Sequence, residues 1–283
     1  MNTPLILVAA ILTGVFMAAD AGAAERPPVK LDRKVVGFWK SDQARILDSE
    51  QMTAALGAAV GQKPEKPVPT DKTAEQILAV LLAEEKDAIG VHVETALAAL
   101  GATAGFACQM AIRDGFIAKG LIAEDKALVV IGTKSGETFY TGPLLNTCLT
   151  TTKKGQYSVW SMVAGAVQKL GAPIPDITPL FSESAGAMGS YTYGASRIKA
   201  PHQPNRRYEE LLVKYWNVFR NRMAADGQDP TIWPLILGQA AQQLVFMAKD
   251  KLPPALSAEI VMDAAVSMSR LDPARIHEAS LRE

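Results

Sequence analysis

The residues with the greatest catalytic potential lie in the stretch LFSESAGAMGSYTYG, residues 180–194. Ser184 lies in S-E-S-A-G, one residue short of the G-x-S-x-G turn that presents the nucleophilic serine of many hydrolases. In chain order, Asp263 and His277 could supply the acid and the histidine of a catalytic triad with Ser184. His202 is nearer to Ser184 in the sequence and is the other candidate general base. One hypothesis is therefore a serine hydrolase that uses Ser184 with His202 or His277.

The sequence around Ser184 does not fit this chemistry. The G-x-S-x-G turn follows a buried strand, whereas three prolines occur in residues 173–179, where that strand would lie. The alternating strands and helices of an α/β hydrolase are missing along the whole chain. We therefore interpret residues 172–206 as a long irregular connection, in which Ser184 is a loop serine rather than a nucleophile.

Basic residues in the same connection could bind an anion: Arg197, Lys199, His202 and Arg206. They are the candidate ligand-binding residues, although a solvated basic loop is the simpler interpretation of such a cluster. No phosphate-binding loop motif occurs, because the run GTKSG at residues 132–136 has the residue types of a P-loop in the wrong order. That run is more simply a turn.

No metal site and no cofactor are predicted. His92-Val93-Glu94 resembles the H-x-E of zinc deaminases, but the P-C-x-x-C that supplies the other ligands is missing. Cys108 lies about 24 Å further along the same predicted helix, so it cannot share one ion with His92. A histidine at a helix start, with Glu94 favourable near the positive end of the helix dipole, explains the motif.

The composition limits the class of partner. The 283 residues include 29 basic and 29 acidic side chains, so the formal net charge is zero. A general nucleic-acid-binding protein would carry an excess of positive charge, so we expect a protein or a small ligand instead. The two cysteines, Cys108 and Cys148, would form one disulfide in an oxidising compartment or remain as two buried thiols.

The N-terminus has the layout of a signal peptide. Residues 1–23 contain an apolar run followed by Ala-Gly-Ala, an A-x-A cleavage sequence, although no basic residue precedes the run. We therefore expect export to the periplasm or secretion, with a cytoplasmic protein as the alternative and membrane contact only through this segment. Residues 24–70 form an irregular segment that ends in a proline-rich linker.

The rest of the chain, residues 71–283, predicts a mainly α fold: a helical globular domain with one β-hairpin. Two lobes are expected, at about 71–155 and 156–283. The β-branched and aromatic runs on either side of Ser135-Gly136 predict the hairpin. Apolar residues at helical spacing predict helices from a capping box at Thr73, and at about 91–113, 143–148, 160–170, 208–225, 229–249 and 253–271.

The most apolar of these helices, residues 91–113, has the length of a membrane span. Alanine and glycine supply most of it, so its transfer into lipid is weakly favourable. Gly101 and Gly105 form a G-x-x-x-G step that lets another helix approach closely. We interpret this segment as a buried helix of a soluble core and keep a membrane-associated helical component as an alternative.

Three stretches resemble an uncharacterised family of bacterial proteins: LAALGATAGFACQMAIR, ALVVIGTKSGETFYTGPLLN and IWPLILGQAAQQLVFMAKDKLPPALSAEIVMDAAVSMSRLD. The resemblance covers roughly residues 91–146 and 206–273. The family has no assigned function, so the resemblance implies a coherent fold and no activity. Because no coherent catalytic constellation is visible, the leading hypothesis is a non-enzymatic binding or interaction protein, and whether the chain is an enzyme is left open.

Overall fold

The computed structural model describes residues 70–151 and 157–280. The elements in chain order are helices α1 (Thr70–Glu84) and α2 (Val93–Ile112), a π-helical turn (Arg113–Ile117), helix α3 (Glu124–Ala127), strands β1 (Val129–Gly132) and β2 (Thr138–Thr141), helices α4 (Pro143–Thr150), α5 (Val159–Lys169), α6 (Thr178–Ala187) and α7 (Tyr208–Ala225), a 3-10 turn (Pro230–Ile232), and helices α8 (Trp233–Ala248), α9 (Pro254–Met268) and α10 (Pro273–Ser280). This part of the chain is mainly α with one antiparallel hairpin, so the predicted fold class is confirmed. The predicted signal peptide (1–23) and residues 24–69 lie outside the described residues.

Helix α2 forms the centre of the fold. Its residues from Thr95 to Ile112 are all buried, and α7, α8 and α9 pack around it. Within the described residues, Val93–Ile117 is the one helical segment that is long and apolar enough to cross a membrane, and its apolar window is entirely buried. In the folded chain, protein therefore surrounds this helix.

Gly101 and Gly105 set the contact between α2 and α9. A Cβ atom at either position would overlap the backbone of α9, at the carbonyl oxygen of Val261 or of Ala265 respectively. Because glycine lacks that atom, the two backbones pack directly against each other. The predicted close approach at the G-x-x-x-G step is confirmed.

Cys108 and Cys148 form a disulfide that joins α2 to α4. Both residues are buried, and their Cα atoms lie 5.8 Å apart. The bridge spans a sequence separation of 40 residues, which includes the β-hairpin. Of the two states that the sequence left open, the structure has the disulfide rather than two thiols.

The hairpin pairs Ile131 with Phe139 across its two strands. Gly136 has a φ of +85° in the turn, a conformation that glycine adopts without strain. The outer edge of β2 is covered, because the N–H of Tyr140 donates to the carbonyl of Arg270 at 2.8 Å. The predicted hairpin is confirmed.

The connection predicted as irregular, residues 172–206, contains helix α6. This helix begins at Thr178 with Pro179 in its first turn, where proline has no intrahelical hydrogen bond to lose and its fixed φ suits a helix. Asp176 supports the start, since its Oδ1 accepts a hydrogen bond from the N–H of Thr178 at 2.9 Å. The prediction of an irregular segment is therefore wrong for residues 178–187.

Two helix ends also differ from those predicted. The capping box at Thr73 does not form, because Thr73 already lies inside α1 and donates to Oδ2 of Asp226 at 2.7 Å. The helix predicted at about 253–271 ends at Met268, and a further helix that the sequence did not predict, α10, begins at Pro273. Residues from both expected lobes contribute to one continuous hydrophobic core.

Candidate functional site

The candidate ligand-binding residues lie in the connecting loop, residues 188–207, which joins α6 to α7. Basic side chains attach this loop to the helices at three places. Arg197 binds α9, His202 binds the start of α2, and Arg206 binds the residue that follows α1. Each attachment pairs a basic side chain with a carboxylate, so the loop is fixed on the helical core.

Arg197 binds a carboxylate that is fully buried in α9. Its guanidinium group forms an ion pair with Asp263, and its backbone N–H donates to Oδ2 of Asp263 at 2.9 Å. The hydroxyl of Tyr208, at the start of α7, donates to the same oxygen. Burial, together with the neighbouring Asp263 charge, raises the pKa of Tyr208 well above its usual value, so the hydroxyl stays protonated as a donor. Asp263 thus holds both the connecting loop and α7 on α9.

Tyr193 and Arg270 extend these contacts to the hairpin and to α6. The ring of Tyr193 packs edge-on against Phe139 of β2, with the ring centroids 4.6 Å apart, and its hydroxyl donates to the carbonyl of Ser267. Arg270 donates to the carbonyl of Phe181 in α6 at 3.2 Å and lies over the ring of that residue. The hairpin, α6 and the connecting loop are therefore all anchored near the C-terminal end of α9.

The start of α2 holds the middle of the connecting loop. His92 is the N-cap, and its side chain accepts from the N–H of Thr95. His202 Nδ1 lies 2.9 Å from Oε1 of Glu94, and the N–H of Asn205 donates to Oγ1 of Thr95 at 3.0 Å. Burial alone would raise the pKa of Glu94, but the hydrogen bond with His202 and the nearby His92 hold it below its usual value. The H-x-E motif thus caps a helix and binds a loop.

Glu85 anchors the end of the connecting loop. Its side chain is 5% exposed and accepts hydrogen bonds from Lys214 at 2.9 Å, from Arg206 at 3.1 Å and from the hydroxyl of Tyr215. Burial alone would raise the pKa of Glu85. The three donors together outweigh burial and hold the pKa below its usual value. Glu85 is therefore an ionised partner for the loop at neutral pH.

The structure does not join the residues of the hydrolase hypothesis. Ser184 is fully buried in α6, and its Oγ has no hydrogen-bond partner among the described residues. His202 is bound to Glu94, and His277 is exposed on α10. Because neither histidine hydrogen-bonds Ser184, the serine hydrolase stays a prediction that no contact supports.

Three of the four candidate anion-binding residues contact a carboxylate of the protein itself: Arg197, His202 and Arg206. The fourth, Lys199, is exposed to solvent. The paired residues position the connecting loop, and their binding of a ligand stays a prediction. In residues 70–151 and 157–280, no three His, Cys, Asp or Glu side chains come together in a way that could hold a metal ion.

A groove of about 480 Å³ lies between the hairpin and the end of α6. Its lining residues are Ile131, Gly132, Thr133, Lys134, Ser135, Ala185, Met188 and Gly189. The hairpin residues in this lining come from β1 and the turn, and none of them comes from β2. The connecting loop meets the turn at Gly189, whose φ is +75° and which leaves no room for a side chain beside Thr133.

Tyr191 follows the last lining residue of this groove, Gly189, by two positions. Its side chain is 90% exposed, while its carbonyl accepts a hydrogen bond from Arg207 at 2.9 Å. The Cα atoms of Tyr191 and Gly189 are therefore at most about 7.6 Å apart. An exposed aromatic side chain on a fixed backbone is the kind of residue that dominates binding at protein interfaces.

Comparison with known proteins adds no relative to this description. No family model matches the chain, and no curated protein and no solved structure is similar to it. The resemblance to a bacterial family stays a prediction.

Two of the three carboxylates that position the connecting loop are not predicted in that role. Asp263 is predicted only as a possible triad acid, and Glu85 is not predicted as a site residue. A carboxylate inside an apolar helical run, as in VMDAA, must find a partner when the helix is buried, and that signal would have identified Asp263. Its partner Arg197 lies 66 residues away, and a pair so distant leaves no local pattern.

Proposed function

We propose that this chain is a non-enzymatic binding or interaction protein, and that its ligand-binding site is the groove between the hairpin turn and α6. The proposal depends on one observation: the lining of the groove ends at Gly189, two residues before Tyr191, which is an exposed aromatic residue whose carbonyl is held by Arg207. Ligand sites in proteins have volumes of roughly 300 to 1,000 Å³, and this groove falls in that range.

The lining of the groove suits a ligand that has both apolar and polar groups. Ile131 and Met188 are apolar and half-buried, and Lys134 is an exposed cation. The hydroxyl groups of Thr133 and Ser135 lie 2.8 Å apart and hydrogen-bond each other, which fixes the turn. A mainly apolar surface with a few oriented polar groups is typical of ligand sites.

The walls of the groove are held in place by the core. Tyr193 packs on the hairpin and bonds to α9, and Arg270 bonds to α6. A site whose walls are already fixed loses little conformational entropy when a ligand binds. The anchors of the connecting loop therefore favour binding, although they do not contact the groove.

Filling the groove tests this proposal. Ala185→Trp adds a large ring to an exposed position in the lining, and Ala224→Trp makes the same change on an exposed face of α7 as the control. Ligand-observed NMR with a fragment library first identifies compounds that bind the unmodified protein. We expect Ala185→Trp to weaken their binding about tenfold or more, equal to 1.4 kcal/mol, and Ala224→Trp to leave it unchanged. Equal binding to both variants would contradict the proposal.

We also propose that the chain is exported. The disulfide between Cys108 and Cys148 supports export, because such bridges form and persist mainly in oxidising compartments. The layout of residues 1–23 agrees with it. Intact-mass measurement after cell fractionation provides the test, with a bridged chain that begins at Ala24 as the expected result. A reduced, full-length chain in the cytoplasm would contradict export.

A further inference from the structure

We infer that the groove binds an extended peptide segment, which adds to the outer edge of β1 as a third strand. The inference rests on the proposed function, because it names the class of ligand for the same groove. Three features lead to it: the backbone groups that β1 directs away from β2, the groove that adjoins Gly132, and the charge of Lys134.

The register of the hairpin shows which backbone groups of β1 point outwards. On β2, the N–H of Tyr140 donates to Arg270, so the backbone groups of Tyr140 face away from β1. Its partner across the hairpin is Val130. In an antiparallel pair, residues that do not bond to each other both direct their N–H and C=O outwards. Val130 therefore presents its backbone groups at the outer edge, and so does Gly132, which is two residues further along the same strand.

These outward groups belong to residues that are not fully buried. Gly132 is exposed and Val130 is half-buried. No hydrogen bond from a described residue reaches the outward N–H or C=O of Val130 or Gly132. The edge of β2 differs, because residues 270–271 already pair with it. The edge of β1 can therefore accept a further strand, and each of its two outward-facing residues offers one donor and one acceptor.

The groove adjoins one of the two outward-facing residues of β1. Gly132 belongs to the lining of the groove of about 480 Å³, and the end of α6 supplies Ala185 to the same lining. A strand added to β1 would lie about 4.8 Å from it. The contact between Gly189 and Thr133 joins the connecting loop to the turn.

The lining indicates which peptide the edge would prefer. Alternate side chains of an added strand point to the same face, and Ile131 and Met188 favour β-branched or aliphatic side chains at the positions that enter the groove. Lys134 is exposed and forms no ion pair with another described residue. It therefore favours an acidic side chain beside the turn. The expected ligand is an extended acidic peptide that contains valine or isoleucine.

Capped hexapeptides test this inference on the full-length protein. The probes alternate valine or isoleucine with threonine and carry glutamate at one end. Each probe is also made with N-methyl groups on one or the other alternate set of amides. Strand addition uses only the set that faces β1, so methylation of that set should weaken binding about tenfold or more. Methylation of the other set should leave binding within about twofold. Equal effects of the two sets would overturn strand addition.

Protein variants give a second measurement with the same probes. Val130→Pro removes an outward N–H and no hydrogen bond to β2, and edge strands tolerate proline at such a position. Val130→Thr keeps the N–H and is the control. We expect about a tenfold loss of hexapeptide binding for Val130→Pro and none for Val130→Thr, with thermal melting to confirm that both variants fold. Lys134→Glu should reverse the preference for glutamate-ended over lysine-ended probes. Unchanged binding by Val130→Pro would overturn the inference.

The outcomes separate this inference from the proposed function. Fragments that bind the unmodified protein and not Ala185→Trp, with no binding of hexapeptides, would support the groove and overturn the peptide ligand. A lack of binding by fragments and hexapeptides alike would overturn both. Dimerisation that Val130→Pro abolishes, measured by sedimentation velocity, would assign the edge to a second copy of the chain and overturn the peptide ligand.

Discussion

Helix α2 and the connecting loop both bind to α9, but they do so by opposite means. Helix α2 contacts α9 at positions without side chains, because Gly101 and Gly105 let the two backbones meet. The contact of the connecting loop depends on charge, because Arg197 reaches Asp263, which is fully buried in α9. Where α9 packs against α2, it therefore leaves no space for a side chain from α2. At Asp263, it requires a basic side chain from the connecting loop.

This difference determines which substitution breaks each contact. At the glycine contact, an added methyl group has no space, whereas the chemical nature of the addition matters little. At the ionic contact, the loss of one charge leaves the other buried without a partner, whereas a change of size matters less. Substitutions at the two contacts should therefore lower the free energy of unfolding by different amounts.

Removal of the disulfide should have the largest effect on the α2 side. Cys108→Ala with Cys148→Ala opens a loop with a sequence separation of 40 residues, and we expect the free energy of unfolding to fall by about 4 kcal/mol. Urea denaturation measures the change, and dithiothreitol added to the unmodified protein should produce a similar one. A loss below about 1 kcal/mol would show that packing alone holds α2.

An added methyl group at the glycine contact should cause the next largest loss of stability. Gly105→Ala places its Cβ against the carbonyl of Ala265, and we expect a loss of about 3 kcal/mol because the two helices must separate. Gly186→Ala is the matched control, since Gly186 lies in α6 with no atom near its Cβ position. That control should gain about 0.5 kcal/mol from lower backbone entropy in the unfolded chain. Similar urea midpoints for the two variants would refute the close contact.

Removal of the Arg197 charge should lower the free energy of unfolding by a smaller amount. The Arg197 side chain is 22% exposed, so water can partly replace it. Arg197→Met keeps the bulk and leaves Asp263 buried without a counter-ion, so we expect a loss of about 2 kcal/mol. Lys199→Met, two residues further along and exposed, should change stability by less than about 0.5 kcal/mol. Adding Asp263→Asn to Arg197→Met should recover part of the loss, and a double-mutant cycle from urea denaturation measures the coupling.

The contact of Glu85 should make stability depend on pH. The folded-state pKa of Glu85 is lowered, so its stabilisation is fully present above the unfolded-state pKa and is lost as the pH falls through the folded-state value. When the pH falls from about 7 to about 3, the free energy of unfolding should decrease in both proteins. The decrease should be about 1 kcal/mol smaller for Glu85→Gln than for the unmodified protein. Glu75→Gln, at an exposed position of α1, is the control. An identical acid dependence for Glu85→Gln and the unmodified protein would disprove this role.

The helical framework can be predicted from sequence because its signals are local. Helix α7 has the predicted bounds, residues 208–225, since its apolar and aromatic residues recur at helical spacing. The contact through Gly101 and Gly105 is also visible locally, as two glycines four residues apart. Proline is the exception, because the same residue suits an irregular segment and the first turn of a helix. This ambiguity explains the missed start of α6.

The candidate site cannot be predicted in the same way because its parts are distant in sequence. The groove combines Lys134 of the hairpin turn with Ala185 of α6, and no periodicity relates these residues. The sequence shows that the connecting loop is rich in cations, but it does not show that Arg197 has a buried partner. An exposed cation and a paired one look identical until the fold brings the carboxylate to it.

The pairing of α2 with α9 has a consequence for synthesis of the chain. The side chain of Gln109, buried in α2, donates to the carbonyl of Ser269, 160 residues later. Ribosomes add about 5 to 20 residues per second, so the face of α2 that packs on α9 remains uncovered for roughly 10 to 30 s after it is made. During that interval the segment Val93–Ile117, long and apolar enough to span a bilayer, is open to chaperones and to the machinery that inserts membrane helices. Correct folding therefore requires that α2 be kept out of the bilayer until its C-terminal partner arrives.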